Sequence, residues 1–303
     1  MSQIDNFTSN LDTLSIIEIA GNDATAFLQA QLTSDITTIK IDDAQFSSWC
    51  TPQGRIITTL LVYKNKDSYF ILLPKALDDN FQKKISIYIL RSKVTINSRD
   101  DLAHITGISG EEFIQEIKNY LLTDNHNDAL LIEIPDGNNT RSILATKEPL
   151  LEKISQIANN INDTYIERWK DMDIQSGVVW ITEQTSNKLL PQDIDLEKLN
   201  ALSHNKGCYP GQEIIARLHF RGKAKYGLYK GKISSDQELP TIGERLYLQN
   251  DSASCGMIVS VAKNNVDSNN CLASLKHDKS DVTHFTLEDK RTIDIMFSKI
   301  NDT

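Results

Sequence analysis

Lys206-Gly207-Cys208-Tyr209-Pro210-Gly211-Gln212-Glu213, running on into Ile214-Ile215-Ala216-Arg217, is the stretch around which the chain is organised. Within eight positions it holds a thiol, an ammonium, a phenol, two glycines and a carboxylate. Two glycines so close together allow a tight backbone turn and let a ligand approach the main chain. Pro210 suits the first turn of a helix, and Glu213 near that N-terminus complements the helix dipole. The apolar residues that follow give the helix a face to bury. Cys208 is then expected beside a helix N-terminus and two residues from Lys206, and both features favour thiolate over thiol. The same residues also describe a capped turn with a buried, inert cysteine, because free cysteine is among the most buried residue types.

The wider composition limits what such a site can serve. The chain has 303 residues, 40% hydrophobic and 24% charged, with a formal charge of −9. That is enough chain for two domains and a sizeable core. Its pI of about 5.2 argues against a nucleic-acid surface, since such binding runs on clustered Lys and Arg that release counterions. The basic cluster that exists, Arg217, Arg221, Lys223 and Lys225, is short and also reads as a solvated turn leading into a strand. No apolar run approaches the roughly 20 residues needed to cross a bilayer. The first residues lack the basic and apolar regions of a signal peptide, so the expectation is cytoplasmic, with no membrane partner. Cys50, Cys208, Cys255 and Cys271 form no C-x-x-C pair, and in a reducing compartment they are expected as thiols. His204 lies four residues before Cys208, but no second pair of ligands accompanies it. No metal is assigned on this spacing.

Outward from the motif, periodicity predicts a mixed architecture. Residues 13–20 read as a strand, followed by a helix capped at Asn22 or Asp23 with Ala24, Phe27, Leu28 and Leu32 on one face. Residues 45–50 and 55–63 read as strands flanking the turn Thr51-Pro52-Gln53-Gly54, with a third strand at 68–73. A helix from Pro74 carries Leu77, Phe81, Ile85 and Ile89 at four-residue spacing. Strands are expected at 94–97 and 102–107, then a capping box at Ser109-Gly110-Glu111-Glu112 that opens a helix burying Phe113, Ile117, Tyr120 and Leu121. A hairpin is expected over 129–134 and 140–145, a helix over 148–159, and a helix over 165–176 that stops at Gly177. Asp195 is expected to cap a short helix at 196–202. Hairpins outnumber crossovers, which favours an α+β class of antiparallel sheets. Beyond Gly222, five short strand-like runs (225–233, 245–248, 256–261, 271–274 and 292–297) suggest a C-terminal β-barrel. The expected domains are therefore residues 1–222 and 223–303. No G-x-G-x-x-G, Walker or G-x-S-x-G motif occurs, which removes the usual dinucleotide, triphosphate and serine-hydrolase readings.

The stretch 206–213 resembles the signature of the YgfZ-type folate-binding proteins, relatives of the glycine cleavage T-protein, an aminomethyltransferase. Phe27-Leu28-Gln29-Ala30-Gln31-Leu32-Thr33, Gln53-Gly54-Arg55, Leu190-Pro191-Gln192, Arg217 and Arg221-Gly222 match further segments in order. The resemblance covers roughly 13–230, and beyond that only the barrel class matches. It implies a T-protein-like body of mixed antiparallel sheets and helices around a central cavity that holds tetrahydrofolate or another folate. It also implies iron–sulfur client enzymes, tRNA modification as an indirect effect through one client, and no direct nucleic-acid contact. A monomer is compatible with all of this. Cys208 and Lys206 are the implied reactive pair. Trp169 falls where the family has a folate-contacting tryptophan, and Gln175 stands where T-proteins use a glutamate for the pterin edge. Gln192, Tyr209 and Arg217 complete the implied cofactor contacts. An amide or carboxylate can satisfy the pterin's donor edge, and an aromatic can cover its face.

Departures from the pattern are specific. Leu14 occupies the position of a second folate-associated tryptophan. Thr51 replaces an acidic residue, His204 an aromatic, and Asn200-Ala201 a Gly-Gly pair. Three readings follow. The first is a folate-binding accessory protein for iron–sulfur enzymes. The second is a true aminomethyltransferase, disfavoured because the T-protein's R-T-G-Y-T-G-E segment is absent. The third is a binding module that kept the fold and lost the ligand.

Overall fold

Strand β5 (Ser68–Pro74) is buried along its whole length, and its neighbour β4 (Ile56–Lys64) is buried up to its last residue. Such near-continuous apolar runs mark the centre of a sheet covered on both faces. The structure, a computed structural model, describes residues 6–123, 129–137, 140–149, 165–249, 251–264 and 268–300. The chain forms two compact units, one comprising Met1–Gln29, Ile36–Phe46 and Leu60–Trp169, the other Ala30–Asp35, Ser47–Thr59 and Lys170–Thr303.

The first unit begins with β1 (Phe7–Asn10), β2 (Leu14–Ala20) and most of α1 (Ala24–Gln31). After β3 (Asp43–Cys50), β4 and β5 come α2 (Lys75–Ile85), β6 (Thr95–Ser98), β7 (His104–Ser109), α3 (Glu111–Thr123), β8 (Leu130–Glu133) and β9 (Arg141–Thr146). One sheet has the order β3-β4-β5-β2-β6 and a second the order β1-β7-β9-β8. Strand pairs β4–β5, β5–β2 and β2–β6 of the first sheet and all three pairs of the second are antiparallel, with Ile17 opposite Ile71 and Thr106 opposite Leu144. Helix α3 supplies Phe113, Ile114 and Ile117 to a cluster with Ile108 and Leu144. The α+β class is therefore observed. Three details differ from expectation. Strand β1 carries no alternating signal in four residues. Helix α2 ends at Ile85 and passes into a 3-10 turn at Ser86–Tyr88, which takes Ile89 out of the buried stripe. Gly110 (φ 112°) directly precedes α3, while Ser109 closes β7. The helix expected at 148–159 lies outside the described residues from 150 onward.

The end of the first unit is held by an internal ion pair. Arg141 donates to Asp136 Oδ2 from Nε at 2.9 Å and from Nη2 at 2.6 Å, and both side chains are wholly buried. The guanidinium also sits 5.0 Å from the Trp169 ring centroid. On β7, a Cβ at Gly107 would come within 2.7 Å of two Trp169 ring carbons. Gly107 is thus the residue that lets the indole, only 3% exposed, lie against the strand.

Helix α4 (Ile166–Ser176) leads into the second unit and stops at Gly177, whose φ of 73° is the left-handed conformation glycine tolerates. Helix α5 (Gln212–Arg221) follows, then β10 (Tyr226–Ser234), β11 (Arg245–Tyr247), β12 (Ser254–Ala262), β13 (Ser268–Lys276), β14 (His284–Thr286) and β15 (Thr292–Lys299). These six strands close into a barrel in the order β10-β13-β12-β11-β14-β15. Its interior is filled by Tyr229, Ile233, Leu246, Ile258, Leu275, Phe285, Ile293 and Ile295. The strand count is six rather than five, because β14 is only three residues long and too short to show a period.

A Gly107→Ala substitution should displace Trp169 from β7 and lower stability by about 1–3 kcal/mol, the usual cost of overpacking. Urea unfolding followed by circular dichroism reads this as a lower midpoint at unchanged slope. An unchanged midpoint would show that the indole has room to move.

Candidate functional site

The motif is seated by three segments of the second unit that are distant in sequence. The first is the turn between β3 and β4. Thr51 O accepts from Gly54 N–H at 2.8 Å, and Thr51 N–H donates to Arg55 O at 2.8 Å. Gly211 lies directly against this turn. Its φ is 83°, and a Cβ there would stand 2.6 Å from both Gly54 Cα and Thr51 O. Two backbones touch at that point, and only glycine permits both the conformation and the approach.

The second segment is 187–193. Ile56 N–H donates to Leu189 O at 2.8 Å, and Asn187 N–H donates to Ile56 O at 2.7 Å. Arg55 Nη1 donates to Lys188 O at 2.7 Å. The 3-10 turn Pro191–Ile194 is closed by Leu190 N–H donating to Asp193 Oδ2 at 2.8 Å, while burial pushes the Asp193 carboxyl upward. Gln192 Nε2 donates to Ile215 O in α5 at 2.9 Å. Its Oε1 is buried and has no hydrogen-bond partner among the described residues.

The third segment, Leu32-Thr33-Ser34, lies just past α1. Thr33 Oγ1 donates to Ala201 O at 2.7 Å, and Thr33 O accepts from Ser203 N–H at 2.9 Å. Lys206 Nζ donates to Leu32 O at 2.7 Å and Ser34 O at 2.6 Å, and lies 5.3 Å from the Tyr209 ring centroid. Burial pushes the Lys206 ammonium down to about 8, opposed by the Asp35 carboxylate. The carbonyls and the aromatic face act as a cradle for it. Tyr209 is buried, which pushes its phenol upward, and its hydroxyl donates to Ser203 O at 3.5 Å.

These contacts revise the reading of the motif. Helix α5 starts at Gln212 with Gly211 as its N-cap, so Pro210 precedes the cap and Cys208 lies three residues ahead of it. Lys206 is committed to main-chain carbonyls and works first as a clamp. Cys208 is exposed, whereas Cys50, Cys255 and Cys271 are buried. Burial pushes Cys50 and Cys271 up to about 12 and raises Cys255 as well. One thiol of four is thus open to chemistry at the surface.

The other expected residues belong to both units. Leu14 and Trp169 are buried in the first unit, Leu14 paired with Pro74. Gln175 is exposed on α4, its Oε1 accepting from Lys230 Nζ at 2.7 Å and its Nε2 donating to Asp171 Oδ1 at 3.2 Å. Its acceptor oxygen is already in use. Arg217 is exposed on α5. Asn200 stands at φ 53°, so an asparagine fills a left-handed position where the resembling family has glycine, a conformation it tolerates better than most residues. The structural roles of Thr33 and Asp193 are not announced by the sequence, because a single polar residue in a loop gives no periodic signal.

Comparison with known proteins follows the same lines. Residues 8–129 match the GCVT N-terminal domain family. A tRNA-modifying protein YgfZ from Buchnera aphidicola subsp. Schizaphis graminum is 30% identical over 263 residues, 80% of this chain and 78% of that protein. A tRNA-modifying protein YgfZ from Aliivibrio fischeri is 25% identical over 293 residues, 95% of this chain and 91% of that protein. The glycine cleavage system aminomethyltransferase T from Bartonella henselae shares the fold, with a TM-score of 0.74 over 99% of this chain and 86% of that one at 12% identity.

Gly211→Ala should cost about 2–4 kcal/mol, combining a left-handed alanine with a backbone clash. The same variant should speed proteolysis near 206–213. Wild-type stability and protease resistance would contradict the docking described here.

Proposed function

The chain belongs to the YgfZ family, and from that premise we propose that it is a tetrahydrofolate-binding accessory protein. It supports assembly or repair of iron–sulfur enzymes and influences tRNA modification through such clients. Cys208 is its reactive thiol. The observation that carries this reading is the contrast among the four cysteines: Cys208 is exposed in a loop clamped at Lys206 and Gly211, and the other three are buried. The reading keeps residues 1–222 as the folate-binding body and 223–303 as the barrel.

The proposed chemistry is thiol exchange. Cys208 as thiolate attacks a disulfide on a client, forming a mixed disulfide and releasing the client's other sulfur as a thiolate. With Cys50, Cys255 and Cys271 buried, resolution requires a thiol from the client or from solution. For folate, Gln192 Oε1 is a buried acceptor without a partner among the described residues and suits the pterin's N–H edge. Arg217, exposed on α5, suits the anionic glutamyl tail. A bound tetrahydrofolate would supply an acceptor for one-carbon groups. Gln175 fits less well, because Lys230 holds its oxygen. Aminomethyl transfer as a dedicated activity is not favoured, since the segment that marks it in T-proteins is replaced here by the cysteine motif.

Two measurements test this. Tetrahydrofolate at a hundredfold excess over its dissociation constant should stabilise the protein by about 3 kcal/mol, and Arg217→Ala should require more ligand for the same shift. In a deletion strain, Cys208→Ala should fold normally yet fail to restore client activity. Absence of any thermal shift would remove the folate assignment, and full rescue by Cys208→Ala would remove the thiol.

A further inference from the structure

We propose that Glu197, His204 and His219 form a binding site for a divalent transition metal ion of the zinc class. His204 and His219 come from different parts of the second unit, the loop before the motif and helix α5 respectively. Glu197 belongs to the 3-10 turn Leu196–Leu199. His204 Nε2 lies 2.7 Å and His219 Nδ1 3.1 Å from the same oxygen, Glu197 Oε1. The ligand atoms of all three residues lie within 4.8 Å of one another. Spacing along the chain gave His204 no second pair of ligands, and folding supplies one from 7 residues before it and 15 residues after it.

Two ring nitrogens and a carboxylate oxygen, brought together from three places in the chain, are a donor set that a zinc-class ion takes. With bonds of about 2.0–2.1 Å, adjacent ligand atoms of a tetrahedral ion lie about 3.4 Å apart. The two nitrogen–oxygen separations, 2.7 and 3.1 Å, have to open by about 0.7 and 0.3 Å to reach that value, and Glu197, 41% exposed, is the most accessible of the three side chains. The imidazoles are stacked, with centroids 3.8 Å apart and planes at 22°, so one ring has to turn for both nitrogens to address the same ion; Phe220 makes edge contact with both rings.

One further observation points to a ligand. His204 is nearly buried, its side chain 11% exposed, and it presents Nε2 to Glu197, whereas Nδ1, without a hydrogen-bond partner among the described residues, lies on the other side of the ring and takes no part in the site. Glu197 and His219 also line a cavity of about 270 Å³ shared with Gln192, Asp195 and His277. That space admits water or a small ligand to the remaining coordination positions, as at zinc sites that keep an open position. Two imidazoles and one carboxylate favour zinc and its transition-metal neighbours over magnesium or calcium, which take oxygen ligands.

The test uses untagged full-length protein carrying Cys208→Ala, so that the exposed thiol contributes no binding, after chelator treatment. Zinc is titrated by calorimetry and cobalt(II) by absorption. One equivalent should bind, with visible cobalt bands of a low-coordinate site. His204→Ala and His219→Gln should each weaken zinc by about tenfold or more, whereas His277→Ala, on the same cavity but outside the trio, should not. His219 is partly exposed, so its variant reads the site even where His204→Ala impairs folding. No saturable binding, or binding undiminished in His219→Gln, would overturn the assignment.

Discussion

The contact between Gly211 and the turn at Thr51–Gly54 governs the second unit. A Cβ at Gly211 would stand 2.6 Å from both Gly54 Cα and Thr51 O of that turn, so the motif can carry no side chain into the gap. Everything that positions the motif is arranged about this approach. Arg55, one residue past the turn, reaches the carbonyl of Lys188. The segment it fixes carries Gln192, which in turn holds the Ile215 carbonyl of α5. A close backbone crossing has few tolerated alternatives, whereas a side-chain contact of equal area can be repacked.

That scaffold separates the two residues that adjacency in sequence would pair. Lys206 turns inward to the carbonyls of Leu32 and Ser34, and Cys208 remains outside. The ammonium secures the loop, and the loop presents the thiol. The cost of holding a cation in a half-buried place is visible in Lys206 being driven down to about 8. It is offset by two carbonyl acceptors, the Tyr209 ring and Asp35. The buried cysteines contrast in kind: desolvation keeps Cys50 and Cys271 protonated, so packing is what they contribute.

Much of this was legible in the sequence, and the limits have physical causes. Strands β2, β4 and β5, the helix ending at Gly177 and the barrel class all follow from period, turn residues and a left-handed glycine. The short elements β1 and β14 do not, because three or four residues carry no period. The stretch 206–213, Gln53-Gly54-Arg55 and Leu190-Pro191-Gln192 could each be singled out by resemblance. That they meet could not be read from spacing, since the contacts that bring the turn at 51–55 to the other two span more than a hundred residues. The direction of Lys206 depended on carbonyls at 32 and 34, which no local pattern reveals. The same holds for His204, whose partners at 197 and 219 come from other elements.

The central claim is that the folded chain offers one thiol for exchange, at Cys208. Brief alkylation of the native protein with iodoacetamide, followed by peptide mass mapping, measures this directly. Modification of Cys208 alone, with Cys50, Cys255 and Cys271 labelled only after unfolding, is the expected result. Labelling of any of those three in the native state, or an unreactive Cys208, would contradict it.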